Sequence, residues 1–153
     1  MKIVDSFALK ASRETVWDAL NEPDIIGPCM PGCYKLEILG PTLYRVHVRT
    51  SVGLVKAKFK LIVETTQATP PEEIVTITQG EAGTKASRVR AESTMRLVAI
   101  DAQNTQLHYT TDVSVAGTFG MFGLGFMRKK AKALGQEFIQ NFAKKIEVQE
   151  NQE

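Results

Sequence analysis

Apolar and polar residues alternate with a period of two through the middle of this chain, and recur with a helical period at its end. The clearest stretch is 55–63. There Val55, Ala57, Phe59, Leu61 and Val63 alternate with Lys56, Lys58, Lys60 and Ile62. That pattern gives a strand one apolar face and one lysine face. Over residues 44–50, Tyr44, Val46, Val48 and Thr50 oppose Arg45, His47 and Arg49. Over 86–100, Val89, Ala91, Ser93, Met95 and Leu97 oppose Arg88, Arg90, Glu92, Thr94 and Arg96. Leu107, Tyr109, Thr111, Val113 and Val115 oppose His108, Thr110, Asp112 and Ser114. A further strand is expected over 74–79, after Pro70-Pro71. A looser alternation of Ile3, Phe7 and Leu9 predicts a first strand over 3–10.

Two helical segments frame these strands. Ser12 stands before 13–21, where it can cap free backbone N–H groups, and Val16, Trp17 and Leu20 follow at helical spacing. Pro23 ends this helix or opens a short one over 24–26. The run Gly27-Pro28-Cys29-Met30-Pro31-Gly32-Cys33 is expected to be irregular. Near the C-terminus, Met127, Ala131, Leu134, Phe138, Phe142 and Ile146 make one apolar stripe, with Lys129, Lys132, Gln136, Gln140 and Lys144 off it. The predicted order is a strand, two short helices, about six more strands and a long helix. Short connections without helices predict an antiparallel meander. The fold class is therefore α+β, a curved sheet of about seven strands wrapped around the long helix, which alone is large enough to cover the dry face. Residues 1–146 should form one domain and 147–153 a frayed polar tail.

Composition narrows the function. With 153 residues, 43% hydrophobic and 24% charged, the chain suits one soluble core. A net charge of +2 is too small to announce a nucleic-acid binder. Early charges exclude a signal-peptide core, and no apolar run approaches the ~20 residues needed to cross a bilayer. The expected location is the cytoplasm.

Local phrases carry a resemblance. Trp17 in ETVWDALNEPDII, the CMPGC turn from Cys29 to Cys33, SVGLVKAKF from Ser51 to Phe59, and VSVAGTFGMFG from Val113 to Gly123 resemble the family of the carbon monoxide dehydrogenase G-subunit. This family lies within the START/Bet v 1-like (SRPBCC, polyketide cyclase-like) helix-grip superfamily. The resemblance covers roughly residues 2–146. It implies a hydrophobic cavity between sheet and long helix. It also implies an accessory, maturation or membrane-recruitment role beside a molybdenum-containing carbon monoxide dehydrogenase-type oxidoreductase, with a quinone or lipid as the bound molecule.

The residues themselves offer little catalytic chemistry. Cys29 and Cys33 supply at most half of a tetrahedral zinc site, and no histidine-rich spacing completes it. They read as small apolar residues beside a turn, and no metal is expected. His47 and His108 each stand alone and are expected to face solvent, without the orienting partner a general base needs. No nucleophile elbow or metalloprotease motif occurs. Asp112 reads as structural.

The glycine-rich stretch 117–125 precedes the long helix but lacks a phosphate loop's Gly-Lys-Ser/Thr ending, and its side chains are greasy. It reads either as a mobile apolar gate or as a core plug. In the gate, Phe119, Phe122 and Phe126 offer aromatic contact area, and Met121 and Met127 adapt to ligand shape. Next to them, Arg128, Lys129, Lys130 and Lys132 suit contact with an anionic membrane surface, such as the inner membrane face, or with a partner. Trp17, Ile25, Ile26 and Met30, with Pro31, are expected at the opposite lip, although ordinary core is the alternative for Trp17. Val46, Val48, Phe59, Leu61, Met95, Leu97 and Tyr109 are expected in the wall.

The expected function is non-enzymatic binding of a hydrophobic small molecule. One alternative is a small cyclase or hydrolase using the same cavity, where inward Ser93, Tyr109 and Thr111 leave room for chemistry. The other is an assembly factor docking through Lys56, Lys58, Lys60, Arg45 and Arg49.

Overall fold

A computed structural model of the chain describes residues 1–82, 87–117 and 123–151. The elements are β1 (Lys2–Leu9), α1 (Arg13–Leu20), α2 (Pro23–Cys29), β2 (Cys33–Gly40), β3 (Leu43–Val52), β4 (Val55–Thr69), β5 (Glu73–Ala82), β6 (Ser87–Asp101), β7 (Asn104–Gly117) and α3 (Leu124–Asn151). The strands form one antiparallel sheet in the order β1-β7-β6-β5-β4-β3-β2. The sequence order is a plain meander from β2 to β7, and β1 adds to the far edge. The connection from β1 to β2 must therefore cross from one edge of the sheet to the other, and α1 and α2 make that crossing.

Local chemistry accounts for the crossing. Ser12 has extended backbone angles, and its hydroxyl accepts the Thr15 N–H at 3.2 Å, capping α1. Pro23 stands in the first turn of α2, where a missing N–H costs nothing. The helix then continues through Gly27 and Pro28 to Cys29. This corrects the expectation of irregular backbone from residue 27. Pro28 forfeits one hydrogen bond, while the Met30 N–H still reaches Ile26 and Gly27 carbonyls. Gly27 also lets α2 lie close on β2, because a Cβ there would stand 3.3 Å from Leu36 Cδ1. The Pro31-Gly32 turn docks on β3: Gly32 has φ 78° and its carbonyl accepts the Arg49 N–H at 2.9 Å.

The solid core occupies one end of the molecule. There Leu9, Ala11, Val16, Ala19, Cys29, Leu97 and Leu107 pack against Ile139, Phe142 and Ile146 of α3. Two hydrogen bonds lock this end. The Thr105 hydroxyl donates to the Ala11 carbonyl at 2.8 Å, and the Asn141 amide donates to the Cys29 carbonyl at 3.1 Å. The polar segment after residue 146 is helical as far as Asn151, and Glu147 accepts the Lys10 N–H at 3.2 Å. A curved meander gripping one long helix is the helix-grip arrangement.

Candidate ligand-binding cavity

The C-terminal half of α3 is packed solid, but its N-terminal half is not. Between it and the sheet lies a cavity of about 450 Å³, within the range of ligand pockets. The inner sheet face supplies Val46, Val48, Phe59, Leu61, Val63, Ile74 and Met95. The α3 stripe supplies Met127, Ala131, Leu134 and Phe138 as a roof. Ile26, Met30 and Pro31 close the side toward α2, and Gly40, Pro41 and Thr42 form a rim at the β2–β3 turn. Gly135 faces Tyr109, and a Cβ there would meet Tyr109 Cε1 at an ordinary 3.7 Å.

Of the residues expected to line the cavity, Ile26, Met30, Val46, Val48, Phe59, Leu61, Met95, Tyr109 and Met127 do so. Trp17, Ile25 and Leu97 do not. Leu97 is buried in the solid core, and Trp17 and Ile25 pack against that core. Phe126 is 42% exposed on the first turn of α3 and does not line the space. Phe119, Met121 and Phe122 lie outside the described residues.

The basic cluster divides. Lys130 lines the cavity, Lys129 and Lys132 are exposed, and the Arg128 guanidinium donates to the Lys2 carbonyl at 2.6 Å.

Sequence reasoning placed Ser93 and Thr111 inward but missed the rest of the polar lining. Thr42, Thr50, Thr65, Thr76 and Thr78 all line the cavity, with Ser93 and Thr111. So does Tyr44, whose phenol is pushed up to about 12 by burial and therefore stays neutral. The available signal is strand parity: Thr50, Thr65, Thr76 and Thr78 share a face with the apolar wall residues. Among the described lining residues there is no carboxylate, histidine or cysteine, and Lys130 is the single charged side chain.

The outer sheet face holds a correction. His47 is not solvent-facing but 8% exposed, and its Nε2–H donates to Glu37 Oε1 at 2.6 Å. The edge strand β2 brings this partner, along with Tyr34, whose ring lies 5.9 Å from the imidazole and carries Arg49 4.3 Å above it. The hydrogen bond from His47 holds the Glu37 carboxyl below its ordinary range, assisted by Lys35 and Arg45. His108 is half-buried, 3.3 Å from the Ser6 hydroxyl. Lys56, Lys58 and Lys60 are exposed.

The cysteines carry no chemistry of this kind. Burial pushes both thiols up, Cys29 in the core and Cys33 beside the Lys35 carbonyl. Among the described residues no three His, Cys, Asp or Glu side chains group to hold a metal ion.

A seven-stranded sheet gripping a long helix above a largely apolar cavity defines a protein of the helix-grip fold. Comparison with known proteins agrees. The chain matches the CoxG family, that of the carbon monoxide dehydrogenase G-subunit, over residues 6–147, and it belongs to that family. It is similar to a conserved protein from Geobacillus kaustophilus, with 31% identity, TM-score 0.90, and 97% and 96% of the two chains covered. A START superfamily protein from Mycobacterium smegmatis shares the fold at 18% identity, TM-score 0.76 and 96% and 97% coverage. The Zhui aromatase/cyclase from Streptomyces sp. R1128 does so at 18% identity, TM-score 0.70 and 96% and 93% coverage. No match was found among curated proteins.

Proposed function

We propose that this protein is a non-enzymatic carrier that holds a quinone or related isoprenoid lipid and serves a molybdenum-containing carbon monoxide dehydrogenase-type oxidoreductase as an accessory factor. The observation that carries the reading is the cavity. It is large enough for a ring with a short tail, its walls are mainly apolar, and its described lining holds no acid–base pair with which to break bonds. The family match supports the choice of client.

Exchange would take place at a membrane surface. Leu124 and Phe126 on the first turn of α3 are 75% and 42% exposed, beside Lys129 and Lys132. Leu54, at the β3–β4 turn on the same end of the sheet, is fully exposed. Apolar tips ringed by lysines suit shallow insertion into anionic lipid. No helix among the described residues is long and apolar enough to cross a membrane, so this contact would be peripheral.

The test is native mass spectrometry, with organic extraction, of protein purified from a quinone-containing host. A co-purifying quinone or isoprenoid lipid supports the carrier. Slower ligand exchange with anionic vesicles after Phe126→Asp, with affinity in detergent unchanged, supports the membrane route. Protein that arrives empty and takes up no added quinone overturns the reading and leaves docking through the basic outer face.

A further inference from the structure

The hydroxyls inside the cavity are not scattered. Cross-strand register places Thr65 opposite Thr76, Thr76 opposite Ser93, and Ser93 opposite Thr111. They form one row across β4, β5, β6 and β7. Thr42 extends it at the rim, since its carbonyl accepts the Thr65 N–H at 2.9 Å. All of them line the cavity. The row runs from exposed Thr42 through half-buried Thr65, Thr76 and Ser93 to Thr111, which is 3% exposed. From Thr65 to Thr111 it crosses three strand spacings, roughly 14 Å before curvature shortens it.

The neighbouring rows differ. On one side Ile74, Met95 and Tyr109 stand in register. On the other, Val63, Thr78, Ala91 and Val113 do. A polar stripe thus crosses a floor that is otherwise mainly apolar, with Thr78 and Tyr109 as the hydroxyl-bearing members of the flanking rows.

Its hydrogen-bonding capacity is largely unspent. Ser93 Oγ and Thr111 Oγ1 are 2.8 Å apart, so one donates to the other and the pair keeps one O–H. Among the described residues, the Thr65 and Thr76 hydroxyls have no hydrogen-bond partner. Each such hydroxyl offers one donor and two acceptor positions and carries no charge. Hydroxyls inside an apolar enclosure are costly unless something bonds to them.

We infer that this row is the head-group subsite, and that it takes an uncharged, oxygen-bearing ring without distinguishing its carbonyl from its hydroxyl form. The inference rests on the carrier reading and sharpens it. A carbonyl would accept from Thr76 and from the free O–H of the Ser93–Thr111 pair. A ring hydroxyl would donate to the same oxygens. Rotation about each C–O bond is all that separates the two arrangements. A lone fixed donor, such as a lysine or a backbone N–H, would prefer the carbonyl form; the cavity's Lys130 stands on α3, not in the row on the sheet. A shuttle that delivers one redox form and removes the other needs this indifference.

The experiment uses calorimetric titration with three probes sharing one short isoprenoid tail: a naphthoquinone, its reduced diol under anaerobic conditions, and the headless hydrocarbon. Wild-type protein should bind quinone and diol within about threefold of each other. Both should bind about tenfold more tightly than the hydrocarbon, the worth of one or two hydrogen bonds. The combined variant Thr76→Val, Ser93→Ala, Thr111→Val should lose about tenfold for both headed probes and less than twofold for the hydrocarbon, whose retention shows that the cavity is intact. Thr76→Ser should bind as wild type. If the variant keeps its preference for headed probes, or if the wild type separates quinone from diol by more than tenfold, the subsite is wrong while the carrier stands. If no probe binds the wild type, both fall.

Discussion

Leu107 and Leu61 offer a direct test of where the protein is solid and where it is hollow. Both point inward from the same sheet. Leu107 on β7 is fully buried in the core beneath Phe142 and Ile146. Leu61 on β4 is half-buried and faces the cavity. Truncating Leu107 to alanine removes well-packed atoms and leaves a new hole, so it should cost about 3–4 kcal/mol. Truncating Leu61 only enlarges a space that already exists. It loses part of a transfer free energy and creates little new void, about 1 kcal/mol. The difference of about 2–3 kcal/mol corresponds to about 4–12 °C in Tm for a chain of this size. Urea unfolding followed by the single tryptophan, Trp17, measures both variants against wild type. Adding a tight ligand should widen the loss for Leu61→Ala and leave that for Leu107→Ala unchanged, because only Leu61 touches the cavity. Equal costs for the two substitutions without ligand would refute the hollow: the sheet and α3 would then be closed against each other along their whole length.

Gly135→Ala should raise stability by about 0.5–1 kcal/mol, since alanine suits a helix interior better and its Cβ meets Tyr109 at an unstrained 3.7 Å; thermal unfolding checks it. Gly32→Ala should cost about 2–3 kcal/mol, because φ is 78° and the new Cβ would lie 2.0 Å from the Arg49 carbonyl oxygen; the same assay reads it. Glu37 has a depressed folded-state pKa, so its contribution is present above its ordinary value of 4.5 and is lost as pH falls through the lower folded value. Glu37→Gln should therefore flatten the loss of stability below pH 4.5 and leave ligand affinity untouched, as measured by urea midpoints against pH and by titration.

Periodicity reads which way a side chain points, but not what lies opposite it. That is why the meander, the long helix and the wall residues are legible in the sequence, while the boundary between cavity and core is not. Leu97 and Met95 are two residues apart on one inward face; Met95 lines the cavity and Leu97 is core. The α3 stripe divides in the same way, with Leu134 and Phe138 over the hollow and Phe142 and Ile146 at 0% exposure. Thr65 and Thr76 do not stand out because threonine is at home on any strand. Alternation assigns His47 to the correct outer face, yet its cover comes from β2. That edge strand lacks a clean alternation and leaves Ile38 65% and Leu39 43% exposed.

The size of the hollow bears on what fills it. The hollow of about 450 Å³ is partly open to its surroundings rather than sealed. Either a ligand or water must occupy it. Water in an apolar chamber needs two to four polar partners, and the floor supplies hydroxyls along the row from Thr42 to Thr111, with Thr50 and Thr78 beside it. The same hydroxyls therefore serve two states. On the carrier reading, they would keep the ligand-free form hydrated and would offer an arriving head group the hydrogen bonds it gives up on leaving its solvent. The apolar walls, where water binds poorly, are left to the tail. On the carrier reading, a site built in this way would gain from exchanging water for an amphipathic ligand at both ends of the molecule.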